Sequence, residues 1–269
     1  MNPLSSTIGR IIVGGIVPII AGAALSALAA LPSQAGENLD AIKAAGVIKI
    51  GTEGTYAPFT YHDTDNKLVG FDVEIGEAIA GKLGVKAEFV EGKWDGLIAG
   101  LDVKRYDTVI NQVGITEERK AKFDFSDPYI ASKAALIVRE DNADIKGFAD
   151  LKGKKAAQSL TSNYGKIAEG AGAELVGTDG FDQSIALVVQ GRADATINDS
   201  LSFLDFKKKQ PDAPVKIAAT EDEAAYSGVI VRKGDPELVA AINKALAEIK
   251  ADGTYKTIAD KYFGQDVSQ

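Results

Sequence analysis

The chain of 269 residues contains no cysteine, a single histidine (His62), a single tryptophan (Trp94) and a single methionine, Met1. That inventory cannot build a disulfide framework or a Cys/His zinc site. A Ser/His/Asp or Cys/His catalytic centre would have to use His62, and would need it inside a cleft. There is no basic surplus either: 30 Lys and Arg stand against 38 Asp and Glu, for a net charge of −8. The basic face expected of a nucleic-acid binder is therefore missing, and no nucleic-acid partner is expected. Net charge says little about the sign of a small ligand, which senses local charge. What remains is ordinary for a globular protein, with 45% apolar, 25% charged and 7% aromatic residues. The length fits one large domain or two of ordinary size.

Arg10 precedes an apolar stretch from Ile11 to Leu31 that is broken by Gly14, Gly15, Pro18 and Gly22. Ala27-Leu28-Ala29 offers a small-residue cleavage pattern just before Ser33-Gln34. This layout predicts a cleaved secretory signal peptide over 1–30. The alternative is a retained anchor, since about 20 apolar residues can span a bilayer; Pro18 and the glycines argue against it. With no cysteine after the apolar stretch, a lipid-modified cysteine anchor is not expected. The expected product is exported to the periplasm.

From Val47 onward, short β-rich runs alternate with helical patterns. The pattern predicts strands at Val47–Ile50, Lys86–Val90 and Asp107–Asn111, a hairpin around Asp65-Asn66, and helices from Asp72 to Gly84 and over Trp94–Leu101. The rhythm restarts with strands at Ala134–Val138, Lys154–Gln158, Glu174–Val176, Ala193–Asn198, Val215–Ala218 and Val229–Arg232, interleaved with helices. A closing helix is marked by Asp235 as cap, Pro236 in the first turn, an apolar face of Leu238, Ile242, Leu246 and Ile249, and Gly253 as its stop. Such alternation predicts an α/β protein of two lobes, each a sheet flanked by helices, joined by two strand-like crossings near Ala135–Val138 and Ser227–Val231. Ligands of open α/β sheets bind beyond the carboxyl ends of the strands, so residues just after strands matter most.

Several familiar motifs fail on inspection. Gly51-x-x-Gly54 lacks the rest of a nucleotide fingerprint, and Gly170-x-Gly172 sits where a helix ends. Asp63-x-Asp65 resembles the start of a calcium loop, but Lys67 and Leu68 occupy the positions of a ligand and a glycine. His62 reads as a solvated residue beside a turn. No cofactor or metal is expected.

Four features after strands suit a zwitterion. In Asn111-Gln112-Val113-Gly114-Ile115-Thr116-Glu117-Glu118-Arg119, Thr116 can cap a helix and Arg119 can grip a carboxylate through two parallel hydrogen bonds, or be a surface arginine beside two acids. Gln158 to Tyr164 carries hydroxyls, including Thr161 and Ser162, into a helix N-terminus, a place to hold an anion or simply a cap. Asp199 can accept from a ligand ammonium or cap the next helix. Tyr56, Phe59 and Trp94 can sandwich a side chain or fill a core.

Taken in order, these segments resemble the solute-binding proteins of bacterial polar amino-acid ABC importers. Ile50-Gly51-Thr52-Glu53-Gly54-Thr55-Tyr56-Ala57-Pro58-Phe59, Gly70-Phe71-Asp72-Val73-Glu74-Ile75, Gly114-Ile115-Thr116-Glu117-Glu118-Arg119, Phe125-Ser126-Asp127-Pro128-Tyr129 and Asp252-Gly253-Thr254-Tyr255 carry the likeness. Glu53-Gly54-Thr55 and Gln158–Gly165 look most like the cystine-binding members.

The resemblance implies a two-lobed periplasmic binding protein (type II), with 38–135 plus 230–266 as lobe 1 and 136–229 as lobe 2. It implies a non-enzymatic monomer that closes on one polar amino acid, L-cystine first, and delivers it to an inner-membrane ABC permease. Arg119 then matches the carboxylate-gripping arginine, assisted by the stretch Asn111–Gly114, with Gln112 in it, and by Thr161, and Ser162 is a further ligand-binding residue. Asp199 matches the ammonium-binding aspartate, Tyr56 and Trp94 the aromatic walls, and Glu53 an acid facing the ligand's far end. Gly114 departs from the family pattern, where a serine is frequent, and leaves only backbone groups there. Two alternatives stay open: a cyclohexadienyl-dehydratase-like enzyme on the same scaffold, with Glu53 moving the proton, and a ligand-sensing module.

Overall fold

The computed structural model describes residues 37–268, and the predicted signal peptide lies outside them. Among the described residues, no helix is long and apolar enough to cross a membrane. The chain builds two five-stranded sheets. The first runs in the order Lys86–Glu91, Val47–Thr52, Thr108–Val109, Ile230–Arg232, Phe123–Phe125. Its first three strands are parallel, and Ile230–Arg232 is antiparallel to both of its neighbours. The second follows the same plan in the order Glu174–Gly177, Lys155–Gln158, Ala195–Asp199, Ala134–Arg139, Val215–Thr220, again with three parallel strands and an antiparallel remainder. The alternating pattern predicted the parallel part; the antiparallel strands come from segments without crossover helices.

Alternation along the strands sends side chains to two faces. Val109 and Ile230 pack with Trp94, Leu97 and Leu101, whereas their neighbours Ile110 and Val231 join Ile48, Ile50, Ile75 and the last helices. The Pro236–Ala251 helix forms as predicted. The Asp235 carboxylate accepts from the Leu238 N–H at 3.2 Å, Pro236 takes the first turn, and Leu238, Ile242, Leu246 and Ile249 are all buried. Burying each such side chain contributes about 1.5–3 kcal/mol. Gly84 adopts φ 76° and closes the Phe71–Leu83 helix, a conformation that suits glycine.

Three expectations need correction. The helix expected over Trp94–Leu101 is two short pieces, Trp94–Leu97 and Ala99–Asp102. The strand expected over Asp107–Asn111 is ladder only at Thr108–Val109, because the chain then leaves the sheet and turns through Gln112 at φ 51°. Gly253 ends one helix but does not close the fold: Thr254–Phe263 is a further helix that buries Tyr255, Ile258 and Ala259.

The crossings also differ from expectation. Ala135–Val138 are wholly buried and lie mid-sheet, hydrogen-bonded to Ala195–Asp199 on one side and Val215–Thr220 on the other. Ala135 and Ile137 pack on one face while Leu136 and Val138 pack on the other. A strand held on both edges and both faces cannot rotate without breaking the sheet. The segments that run between the sheets are Ile130–Ser132 and Ala225–Ser227, which pair antiparallel as a two-stranded ribbon.

Candidate functional site

Parallel neighbours end on the same side of a sheet, so Val47–Thr52 and Thr108–Val109 deliver Glu53 and Asn111 side by side. The Asn111 side-chain oxygen accepts from the Glu53 N–H at 2.8 Å and the Thr52 hydroxyl at 3.0 Å, and its amide donates to the Glu53 carboxylate at 2.6 Å. Burial pushes the Glu53 carboxyl up to about 7, with the Asn111 hydrogen bond opposing. Gln112 follows, and both its backbone N–H and its side-chain amide donate to the Asp72 carboxylate, at 2.7 and 2.9 Å. The Tyr129 hydroxyl donates to the same carboxylate at 3.1 Å. Asp72 has no solvent exposure, and desolvation lifts its carboxyl to about 7 against those three donors.

Thr116 caps the Glu117–Lys122 helix by accepting from the Arg119 N–H at 3.2 Å. The Arg119 guanidinium donates to the Gly114 carbonyl at 3.0 Å and lies 5.3 Å from the centroid of the Trp94 ring. The two acids beside it turn elsewhere, Glu117 to Lys120 at 2.9 Å and Glu118 to Lys166. Arg119 is thus not the surface arginine neutralised by neighbouring acids. Burial lowers its pKa, yet an arginine remains charged. A Cβ at Gly114 would meet Arg119 at 3.5 Å and Asn163 at 3.7 Å, an ordinary contact, so that position has room for a small side chain.

Across from these groups, the strand Lys155–Gln158 feeds the loop before the Asn163–Gly170 helix. Ser162 caps that helix, accepting from the Gly165 N–H at 2.9 Å and donating to the Ser159 carbonyl at 2.7 Å. Asp199 ends its strand and does cap: Oδ1 accepts from the Leu201 N–H at 2.8 Å. Its Oδ2 accepts from the Ser132 hydroxyl and, at 3.4 Å, from Tyr164. Burial raises the Asp199 carboxyl to about 6. The Tyr56 hydroxyl donates to the Asn198 side chain at 2.7 Å and so ties the short strand Thr55–Tyr56, which pairs with Thr60–His62, to the end of the second sheet.

Between the sheets lies a cavity of about 40 Å³, space for a few waters. A larger hollow of 670 Å³ near Phe123 and Tyr226 does not gather these groups. Of the expected site residues, Glu53, Tyr56, Trp94, Gln112 and Ser162 line the cavity. Asn111, Gly114, Arg119 and Asp199 stand behind that lining, each bonded or packed to one of its members. Thr161 is at the rim, where its N–H and hydroxyl both donate to Asp95, at 2.9 and 2.8 Å. His62 is off the cavity and, contrary to the solvated reading, half-buried 3.2 Å from Glu91.

The lining also includes Asn198, Gly180, Phe181 and Ser184, which were not nominated. Phe181 and Ser184 sit in the Phe181–Val189 helix with no chemical motif to betray them. Asp72 was missed as well, since an acid in a helix's first turn reads as dipole complementation. Two buried polar atoms have no partner among the described residues, Trp94 Nε1 and Gln112 Oε1, and both residues line the cavity.

The sequence of the bacterial extracellular solute-binding proteins, family 3, matches residues 48–265. The chain belongs to that family. As a solute-binding protein it is 49% identical to the L-cystine-binding protein TcyA of Bacillus subtilis over 235 residues, 87% of each chain. Its fold is shared with the L-cystine solute receptor of Neisseria gonorrhoeae in the unliganded open conformation, at 53% identity and TM-score 0.57, covering 86% of this chain and 99% of that one. An ancestral arginine-binding protein bound to arginine is 43% identical with TM-score 0.77, covering 81% and 99%. The solute-binding proteins named here are binding proteins, not enzymes.

Proposed function

We propose that the protein captures a polar amino acid, L-cystine first, by closing two lobes around it, and passes it to a membrane permease. The placement of Arg119 carries the reading. Its guanidinium is stacked on a wall of the cavity, spends one hydrogen bond on Gly114, and forms no salt bridge among the described residues. A desolvated guanidinium with free donors suits a carboxylate. Glu53 and Asp199 add buried carboxyls, one lining the cavity and one just behind it, that suit ammonium groups. L-Cystine brings two of each charge, and the cystine-binding relatives support that choice.

Bonds across the cleft support a closed form: Tyr56 to Asn198, Asp95 to Thr161, and Lys93 to Asp179 at 2.7 Å. The better superposition on an arginine-bound neighbour than on a more identical open one agrees with that form. The lobes on this reading are 38–129 plus 228–266 and 133–224, with the ribbon Ile130–Ser132 and Ala225–Ser227 as hinge. Secretion to the periplasm and action as a monomer without enzymatic turnover belong to the same reading.

Titration calorimetry with L-cystine, L-arginine and L-glutamine tests it. Saturable binding of L-cystine is expected, with a quench or shift of emission from Trp94, the only tryptophan. Ligand at 100 times its Kd should stabilise the fold by about 2.7 kcal/mol. No binding of any of the three, or turnover of a prephenate-type acid, would overturn it.

A further inference from the structure

Gln112 combines three features that the carboxylate-gripping role does not explain. Its backbone is left-handed, φ 51°, which is uncommon for a residue other than glycine, asparagine or aspartate. It is 8% exposed, and its side-chain oxygen is buried without a partner among the described residues although the residue lines the cavity. Its side-chain and backbone N–H groups both point to one carboxylate, Asp72.

The third feature explains the other two. Both Asp72 oxygens already face donors, the Gln112 backbone N–H on one and the Tyr129 hydroxyl on the other, so the Gln112 amide turns its NH2 toward Asp72 and its oxygen away. The double attachment to Asp72 also holds the unusual backbone, which persists only where its surroundings over-determine it. A buried acceptor left unpaired is costly, and is tolerated where a ligand will pair it. An oxygen acceptor repels a ligand carboxylate and attracts a donor. For an amino acid, that donor is the ammonium.

We propose that the Gln112 side-chain oxygen accepts a hydrogen bond from the ammonium of the bound amino acid, and that Asp72, which does not reach the cavity, is the positioning residue that aims it. This rests on the amino-acid reading above. It moves Gln112 from assisting Arg119 at the carboxylate to reading the opposite end of the zwitterion. It also gives a role to a buried carboxyl at the start of the Phe71–Leu83 helix, where the N-cap is Gly70 and no side chain caps.

The test is a calorimetric cycle on the full chain with L-cystine, and L-arginine as a second probe, using Q112M, D72N and D72N/Q112E, with a thermal melt of each. Q112M and D72N should each weaken binding about ten- to hundredfold, the worth of a hydrogen bond to a charged group. In D72N/Q112E the new amide donates to the new carboxylate, whose other oxygen takes the cavity-facing place. That variant should bind more tightly than D72N. A merely structural role would make the two losses add. Q112M binding within threefold of the wild type, or the double variant no tighter than D72N, overturns the assignment while the amino-acid reading stands. A wild-type chain that binds neither probe overturns both.

Discussion

Carboxylates at the cavity and carboxylates on the surface are the same chemical groups under opposite forces. Glu53, Asp72 and Asp199 are buried, lack a cationic partner among the described residues, and are pushed up to about 7, 7 and 6 by desolvation. Asp252 and Asp141 are exposed and pulled below the usual carboxylate range by hydrogen bonds from Lys82 and Arg139, at 2.6 and 2.8 Å. The surface pairs are satisfied and contribute little, because water screens them. The buried acids are held by amides and hydroxyls instead, and of the three only Glu53 lines the cavity itself. Binding capacity thus shows as electrostatic demand that the protein itself does not meet.

The largest break of this contrast should come from Arg119→Ala, which removes a cation stacked on the cavity wall. Losing a buried charge partner typically costs about 2–5 kcal/mol, or roughly 30- to several-thousand-fold in Kd. Calorimetry finding the variant within threefold of the parent would remove Arg119 from the site. Asp199→Ala should weaken binding comparably at the upper end of tens- to hundreds-fold, and should also lower stability by about 1 kcal/mol through the lost cap on Leu201. Denaturant unfolding separates the two effects, and loss of stability alone would leave Asp199 a cap and nothing more.

The effect of pH sharpens the same contrast. A carboxyl raised in the folded state favours folding fully below its unfolded pKa, and that contribution is lost as pH rises through the folded value. Between pH 5 and 8 the buried trio therefore dominates, and the melting temperature of the unliganded protein should fall; the surface acids titrate below that window. The Asp199 charge acts on Asp72, so those two transitions should overlap. Ligand ammonium groups favour the ionised acids, so ligand-induced stabilisation should be larger at pH 8 than at pH 5. Melts of free and saturated protein at the two pH values decide it, and equal ligand shifts would contradict the acids' proposed role. Smallest of all, Lys82→Ala, which breaks the exposed pair with Asp252, should move the melting temperature by no more than about 2 °C.

Much of the fold was legible because its signals are local. The Asp235-Pro236 start, the Leu238, Ile242, Leu246, Ile249 stripe and the Gly84 stop need only neighbouring residues to be read, and each forms as expected. The final helix was legible too, in the spacing of Tyr255, Ile258, Ala259 and Tyr262, but Gly253 was read as a full stop rather than a corner. Five of the thirteen residues lining the cavity were found because Glu53, Tyr56, Trp94, Gln112 and Ser162 follow strands or open helices, where ligands collect.

Sequence alone determined the alternation of strands and helices, the absence of cysteine and the chemical types available to a site, because these depend on residues close in the chain. Only the tertiary structure decided which strand runs between the sheets and which is a sheet centre, since Ala135–Val138 and Ile130–Ser132 are both short β-rich runs told apart by their neighbours. It also decided that Asp72 and Gln112, forty residues apart in sequence, meet out of water. Sheet order brings them together, and burial turns an ordinary acid and amide into a pair with one acceptor left to offer.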